Sequence, residues 1–321
     1  MPKSFGSYFS LEIQKQNKEI YHSNSIWLNT GRNAFEYILQ IKKVKQLYLP
    51  YFSCDALLTP LKKLKISYKY YYIDYELKPV FDYESLNKDD FFLYINYFGL
   101  KNDIVIFLSE IIDNLIIDNT QAFFSLPVAN IPTFYSTRKF FGVPDGALLC
   151  NVSGKLKLTK DKSADRFNYL LLRHENEPIK GYNEYARIES ILNNIPMRIM
   201  SNLTRRLLLS ISYDRHKIIR NSNFNFVEKH FKSVNRLNYL FNDGPMVYPL
   251  LVKDGDDIKR KLLKDNIYLP TYWQTVLNVI PVEKVESDLV KNLLPIPIDS
   301  RYTKSTLNRI CKIIKSYLYD V

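Results

Sequence analysis

Four short segments carry the side chains of this chain that could do chemistry. In FYSTRKFFGVPDGALL, from Phe134 to Leu149, Lys139 sits among aromatic residues at the end of a strand-like run and before a turn. A charged amine in such a place is solvated, paired or chemically used. Ser136 stands three residues earlier, an SxxK spacing. Serine–lysine pairs also serve β-lactamase-like enzymes, but those place the serine at a helix start, and this one follows a strand. In LIIDNTQ, Asp118 closes an apolar run and Gln121 follows three residues later. A carboxylate there needs a partner or a use, and capping the next element is the purely structural alternative. Thr30-Gly31-Arg32 opens a helix-like segment. Free N–H groups and the helix dipole make such an opening an anion site, with Arg32 adding charge, although most helix starts bind only water. GVPDGALL supplies a turn and a re-entering strand placed to hold the lysine's loop.

Pyridoxal phosphate chemistry would use all four at once. Its aldehyde needs a lysine amine to form an imine, its ring nitrogen a carboxylate to stay protonated, and its phosphate a helix N-terminus with hydroxyl and cationic help. Once an incoming amine displaces the lysine, that lysine can act as general base and acid in the 1,3-proton shift of a transamination.

Positioning these groups falls to an alternating pattern that begins near Ser25. TGRNAFEYILQIKK puts Ala34, Tyr37, Ile38 and Ile41 on one helical face, with Thr30 as its N-cap. QLYLP, YKYYYID, FFLYIN, LIID, PTFYS and GALLC read as strands, with SCDALLTPLKKL and DIVIFLSEIIDN as helices between them and Pro60 a kink in the first. Short apolar strands alternating with helices predict an α/β fold, a mostly parallel sheet flanked by helices, whose ligands sit at the carboxyl ends of the strands. From about Lys155 to Asp243 the segments are longer and amphipathic, with a break at Pro196. From Pro245 a smaller α+β unit is expected: VYPLLV, IYLP and LLPIPID as strands, DDIKRKLLKDN as a helix and a terminal helix capped by Thr303. The expected division is a large domain over 1–215, with an N-terminal arm and interface helices, and a small domain over 216–321.

Bulk properties exclude several classes. Apolar residues at 46% and charged residues at 24% are those of an ordinary globular protein. No apolar run approaches the roughly 18–20 residues of a membrane span. MPKSFGSYFSLEIQKQNK lacks the apolar core of a signal peptide, so a cytoplasmic location is expected. Cys54, Cys150 and Cys311 lie far apart and the four histidines show no HxxxH or HExxH spacing, so neither a disulfide framework nor a metal site is expected. The net charge of +12 points to an anionic partner or to a solvated lysine-rich surface. Its spread along the chain argues against nucleic acid. No GxGxxG follows the first strand, which argues against a dinucleotide-binding enzyme.

Taken in order, these segments resemble the DegT/DnrJ-type sugar aminotransferases, fold type I members of the aspartate aminotransferase superfamily, over most of the chain. TGRNAFEYIL is similar to the family's phosphate-binding helix start, and LYLPYFSCDALLTPL to its strand and helix beginning VPSFTF. LIIDNTQAFF resembles its EDAAQAHG signature, FYSTRKFFGVPDGALL its lysine segment, and KGYNEYARIESIL its GYNYRM helix with one extra residue. The resemblance implies that Lys139 forms the imine with pyridoxal 5'-phosphate and that Asp118 meets the pyridine nitrogen. It places Gln121 at the ring hydroxyl and Gly31 and Arg32 at the phosphate. Ser136 stands where many members have histidine or tyrosine, and Cys54 where an aromatic ring often stacks on the cofactor. Asn183 would reach the cofactor phosphate of a neighbouring subunit in a homodimer.

The function so implied is transfer of an amino group from an amino acid, glutamate foremost, to a nucleotide-linked keto-sugar for surface polysaccharide. A transferase for another carbonyl substrate and a non-catalytic descendant of the family are the alternatives. The short loops motivate the first, and Arg32 with Cys54 the second.

Overall fold

The computed structural model describes residues 9–319. At its centre is an eight-stranded sheet of β1 (Ile26–Leu28), β2 (Gln46–Pro50), β3 (Ser67–Ile73), β4 (Pro79–Val80), β5 (Asp90–Ile95), β6 (Leu115–Asp118), β7 (Thr133–Ser136) and β8 (Ala147–Cys150). Their spatial order is β1-β8-β7-β6-β5-β2-β3-β4. The five strands from β7 to β3 run parallel, β8 is antiparallel to both β7 and β1, and β4 is antiparallel to β3. Every residue of β5 and β6 is buried. Helices cover both faces of such a central strand, which is why FFLYI and LIID show no polar alternation.

Three helices come early in the chain: α1 (Gly31–Ile41), α2 (Leu58–Leu64) and α3 (Asn102–Ile111). Thr30 is extended and its hydroxyl accepts the Asn33 amide at 3.1 Å, which caps α1 as expected. Ala34, Phe35, Tyr37 and Ile38 are buried, with Phe35 stacked on Phe134 of β7. Pro60 does not kink its helix. A 3₁₀ turn at Asp55–Leu57 precedes α2, so Pro60 falls in the first turn, where its missing N–H costs nothing.

Further along come α4 (Asn168–His174), α5 (Pro178–Leu192), α6 (Asn202–Leu209) and α7 (Tyr213–Phe231). The first two form a hairpin, and the break at Pro196 lies between α5 and α6. The division expected at 215/216 falls in the first turn of α7, which runs unbroken toward the C-terminal unit. There β9 (Val247–Leu251) pairs antiparallel with β10 (Leu293–Pro297), beside α8 (Gly255–Leu262), α9 (Val285–Asn292) and α10 (Lys304–Tyr319). Thr303 caps α10 through the Thr306 amide. IYLP is not a strand. After Asn266 turns left-handed, the Ile267 amide bonds back to the Leu262 carbonyl at 3.0 Å, Tyr268 is exposed, and Pro270 has no N–H to offer a ladder.

Candidate active site

The carboxyl ends of β5, β6 and β7, the turn that follows β2 and the opening of α1 border one cavity of about 1410 Å³. Asp118 is the last residue of β6, in register with Ile95 of β5 and Phe134 of β7. Only 6% of it is exposed, and its Oδ1 accepts the Thr120 amide at 2.8 Å. Burial raises the Asp118 pKa, while the Lys139 charge and the bonds from Thr120 pull it back. The Lys139 amine donates to the Thr120 hydroxyl at 2.9 Å and stays accessible from the cavity. The start of α1 closes in from the side. A Cβ on Gly31 would come to 3.5 Å from Thr120 Cγ2 and 3.7 Å from Ser136 Cβ. The amides of Gly31 and Arg32, at the first two helical positions, have no intrahelical acceptor within reach.

The lysine's own loop is braced from beneath. Lys139 ends a single 3₁₀ turn, Thr137–Lys139. The buried Thr137 hydroxyl lies 3.0 Å from both the Asp145 and Gly146 carbonyls. Gly146 has φ +117°, and a Cβ there would stand 2.5 Å from Thr137 Oγ1. Its amide donates to the Asn29 carbonyl at 2.6 Å, one residue before the cap of α1. Asp145, fully buried, accepts the Thr204 hydroxyl and pairs with Arg166 Nη2 at 2.7 Å. Arg166 also meets Asp161 Oδ2 at 2.9 Å, and that same oxygen accepts Asn29 Nδ2 at 3.1 Å. A closed circuit of buried polar groups therefore joins the lysine loop to the opening of α1. Burial pushes the Asp145 pKa up to about 6, against the Thr204 hydrogen bond and the Arg166 charge.

Six of the expected site residues, Gly31, Arg32, Cys54, Asp118, Ser136 and Lys139, line this cavity together. Arg32 is nevertheless committed to protein partners. Its guanidinium donates to the Leu192 carbonyl and Asn193 Oδ1 at 2.8 Å each, and to the Ala56 carbonyl at 3.3 Å, so it ties α1 to the end of α5. Cys54 caps the short 3₁₀ turn through its sulfur. Gln121 and Asn183 stand outside the lining. Gln121 is buried and its amide oxygen accepts the Phe98 amide at 3.0 Å, holding the left-handed turn there. Asn183 is exposed on α5, whereas Gly181, Tyr182 and Tyr185 of that helix line the cavity.

Other lining residues carry no mark in the sequence. Arg138, next to Lys139, pairs with Glu189 of α5 and lies 5.6 Å from the Tyr185 ring centre, which docks the α4–α5 hairpin on the lysine loop. Arg220 of α7 is 2% exposed, lies 4.6 Å from the Phe140 ring centre and donates to the Pro245 and Met246 carbonyls. Trp273 reaches the cavity from the C-terminal unit. All three depend on contacts across long stretches of chain, with no local motif to announce them.

No family model matches the sequence, and no curated protein matches it. Solved structures do match. The sugar aminotransferase CalS13 from Micromonospora echinospora superposes with a TM-score of 0.66 at 14% identity, over 92% of this chain and 88% of that one. A DegT DnrJ EryC1 StrS aminotransferase from Brucella abortus gives 0.64 at 14% identity, over 92% and 86%. Spr1654 from Streptococcus pneumoniae, in its PLP form, gives 0.64 at 12% identity, over 92% and 87%. The chain has the fold of these proteins. The mostly parallel sheet with β8 reversed and the smaller C-terminal unit are thereby placed in the architecture that the resemblance implied. Among the described residues, no helix is long and apolar enough to cross a membrane.

Proposed function

We propose that the protein is a pyridoxal-phosphate-dependent aminotransferase that moves an amino group from an amino acid, glutamate foremost, to a nucleotide-linked keto-sugar in surface polysaccharide assembly. The observation that carries this reading is the Lys139 amine held through Thr120 beside the buried Asp118, in a cavity that also takes in the opening of α1. The residues present fit the cofactor. Asp118 is a carboxylate out of water with no ion-pair partner among the described residues, suited to hold a proton on a pyridine nitrogen. The first-turn amides of α1, with Thr30 and Ser136 near, suit a phosphate. Bound there, the cofactor would supply an electron sink for the substrate's α-carbon. Lys139 would hold the cofactor and then carry the proton from one carbon to the next, and Thr120 would keep its amine aimed.

A cavity of about 1410 Å³ exceeds the roughly 300–1,000 Å³ usual for one drug-sized ligand, leaving room for a second, larger molecule beside the cofactor. The net charge of +12 suits a diphosphate-bearing substrate. Ile179, Tyr182, Tyr185 and Ile191 are exposed on α5, an apolar surface that supports a homodimer with the active site at the interface. The reading places this enzyme in the cytoplasm, where its substrates would be made.

The test combines a spectrum with a substrate screen. Purified protein given pyridoxal phosphate should gain a violet-region band that shifts with an amino donor, is absent in Lys139→Ala, and is altered in Asp118→Asn. Protein that stays colourless would remove the enzyme reading. Turnover on small oxo acids but on no nucleotide-linked keto-sugar would remove the sugar.

A further inference from the structure

We propose that Trp273 is the aromatic wall for the planar ring bound beside Asp118, a role for which Cys54 has no ring; this rests on the cofactor reading above. Phe134, the lining residue paired with Asp118, has its ring stacked on Phe35 at 5.6 Å between centres, and the lining residues Cys54, Ala56, Leu57 and Ile95 carry no ring. Trp273 is the one residue of the segment between Ile267 and Gln274 in the C-terminal unit that lines the cavity. Its indole stands edge-on to Phe52 at 4.5 Å and to Tyr97 at 6.0 Å between ring centres. Both of those rings are fully buried, and the Tyr97 hydroxyl donates to the Phe52 carbonyl at 2.8 Å.

Phe52 and Tyr97 lie two residues past the ends of β2 and β5. β5 is the direct neighbour of β6, which ends in Asp118. The indole is therefore seated on a rigid aromatic floor at the carboxyl end of the sheet, on the Asp118 side. Tyr272 stacks on Phe98 at 6.0 Å, and Thr275 donates to Asp55 Oδ1 at 3.0 Å, so the segment is fastened on both sides of the tryptophan. Trp273 also adopts a left-handed backbone, φ +54° and ψ +50°. A bulky residue pays energy to sit there, and such strain persists where surrounding contacts over-determine it, commonly at ligand sites.

Fluorescence separates this inference from the reading it rests on. The chain has two tryptophans, and Trp27 lies on β1 beneath the Arg205 guanidinium, outside the cavity lining. In Trp27→Phe all indole emission comes from Trp273, and pyridoxal phosphate should quench most of it as its own band appears. In Trp273→Phe the remaining Trp27 emission should fall by a smaller fraction. Trp273→Ala should weaken cofactor binding roughly 3–10-fold, the worth of one ring contact, and Trp273→Phe should recover most of that. Cofactor absorbance that appears with Trp273 emission unchanged would overturn the assignment, as would native affinity in Trp273→Ala. Native protein that never takes up the cofactor would instead overturn the functional reading, and this inference with it.

Discussion

Lys139 donates its amine to the hydroxyl of Thr120, 2.9 Å away. The Thr120 amide in turn donates to Asp118 at 2.8 Å, so one residue fixes the relative position of amine and carboxylate. Its hydroxyl and its amide can be tested apart, because only the hydroxyl depends on the side chain. Thr120→Val should keep the cofactor band and the fold while lowering kcat about 10–100-fold, the scale of one hydrogen bond to a charged group. Thr120→Ser should restore most of the rate. Equal rates in the valine variant and the native enzyme would show that the hydroxyl does not aim the amine.

Two buried groups should give opposite pH dependences of stability. The Asp145 pKa is raised from 3.8 to about 6, chiefly by burial, so between those values the folded chain holds a proton that the unfolded chain has lost. Its contribution to stability is therefore fullest below that window and falls as pH rises through it, by about 3 kcal/mol. His22, stacked 4.0 Å from Tyr135, is lowered from 6.5 to about 4 by burial, with the bond to the Phe123 carbonyl opposing. Its contribution is present above that window and is lost as pH falls through it, by a similar amount. Native protein should thus show little change in urea midpoint between about pH 4 and 6 from this pair. Asp145→Asn should leave a midpoint that rises with pH, and His22→Phe one that falls.

Gly146 should tolerate no side chain. A Cβ there would lie 2.5 Å from Thr137 Oγ1 and 3.0 Å from Thr204 Cγ2, at φ +117°. Gly146→Ala should cost about 2–4 kcal/mol in chemical unfolding and weaken the cofactor band by loosening the turn that ends in Lys139. A variant as stable as the native chain would mean the loop has another way to close.

Charging the exposed face of α5 should separate a dimer. Ile179→Asp with Ile191→Asp, both outside the cavity lining, should give a monomer by light scattering with unchanged far-ultraviolet circular dichroism. Cofactor affinity should fall with it, if the site is completed across the interface.

Much of the frame was legible because each parallel strand is a short apolar run, and such strands present their chemistry at their carboxyl ends. Asp118 and Lys139 could be found that way, and Thr30 by its capping pattern. Thr120 stood in plain view between Asp118 and Gln121, but a threonine in a loop carries no signal of its own until the lysine is seen beside it. GVPDGALL announced a brace for the lysine's loop, but not the residues that complete it. Asn29, Asp145, Asp161, Arg166 and Thr204 are ordinary polar residues whose meaning comes only from being buried together. Arg32 read as an anion ligand because the helix start is local information, whereas its partners at Leu192 and Asn193 are not. IYLP failed as a strand because β propensity cannot supply a pairing partner.

The reversal of β8 has a consequence for how the amine is tethered. Ser136 pairs with Ala147 across β7 and β8, so Lys139 rides on a loop of ten residues, Thr137 to Gly146, whose two ends are fastened to each other. A parallel neighbour would instead need a long crossover and would leave the segment after β7 anchored at one end. Closing a loop this short forfeits less chain entropy than closing a crossover, by about 1 kcal/mol for a threefold difference in length, because that loss grows only with the logarithm of length. Lys139 is thus carried on a short loop fastened at both ends to neighbouring antiparallel strands.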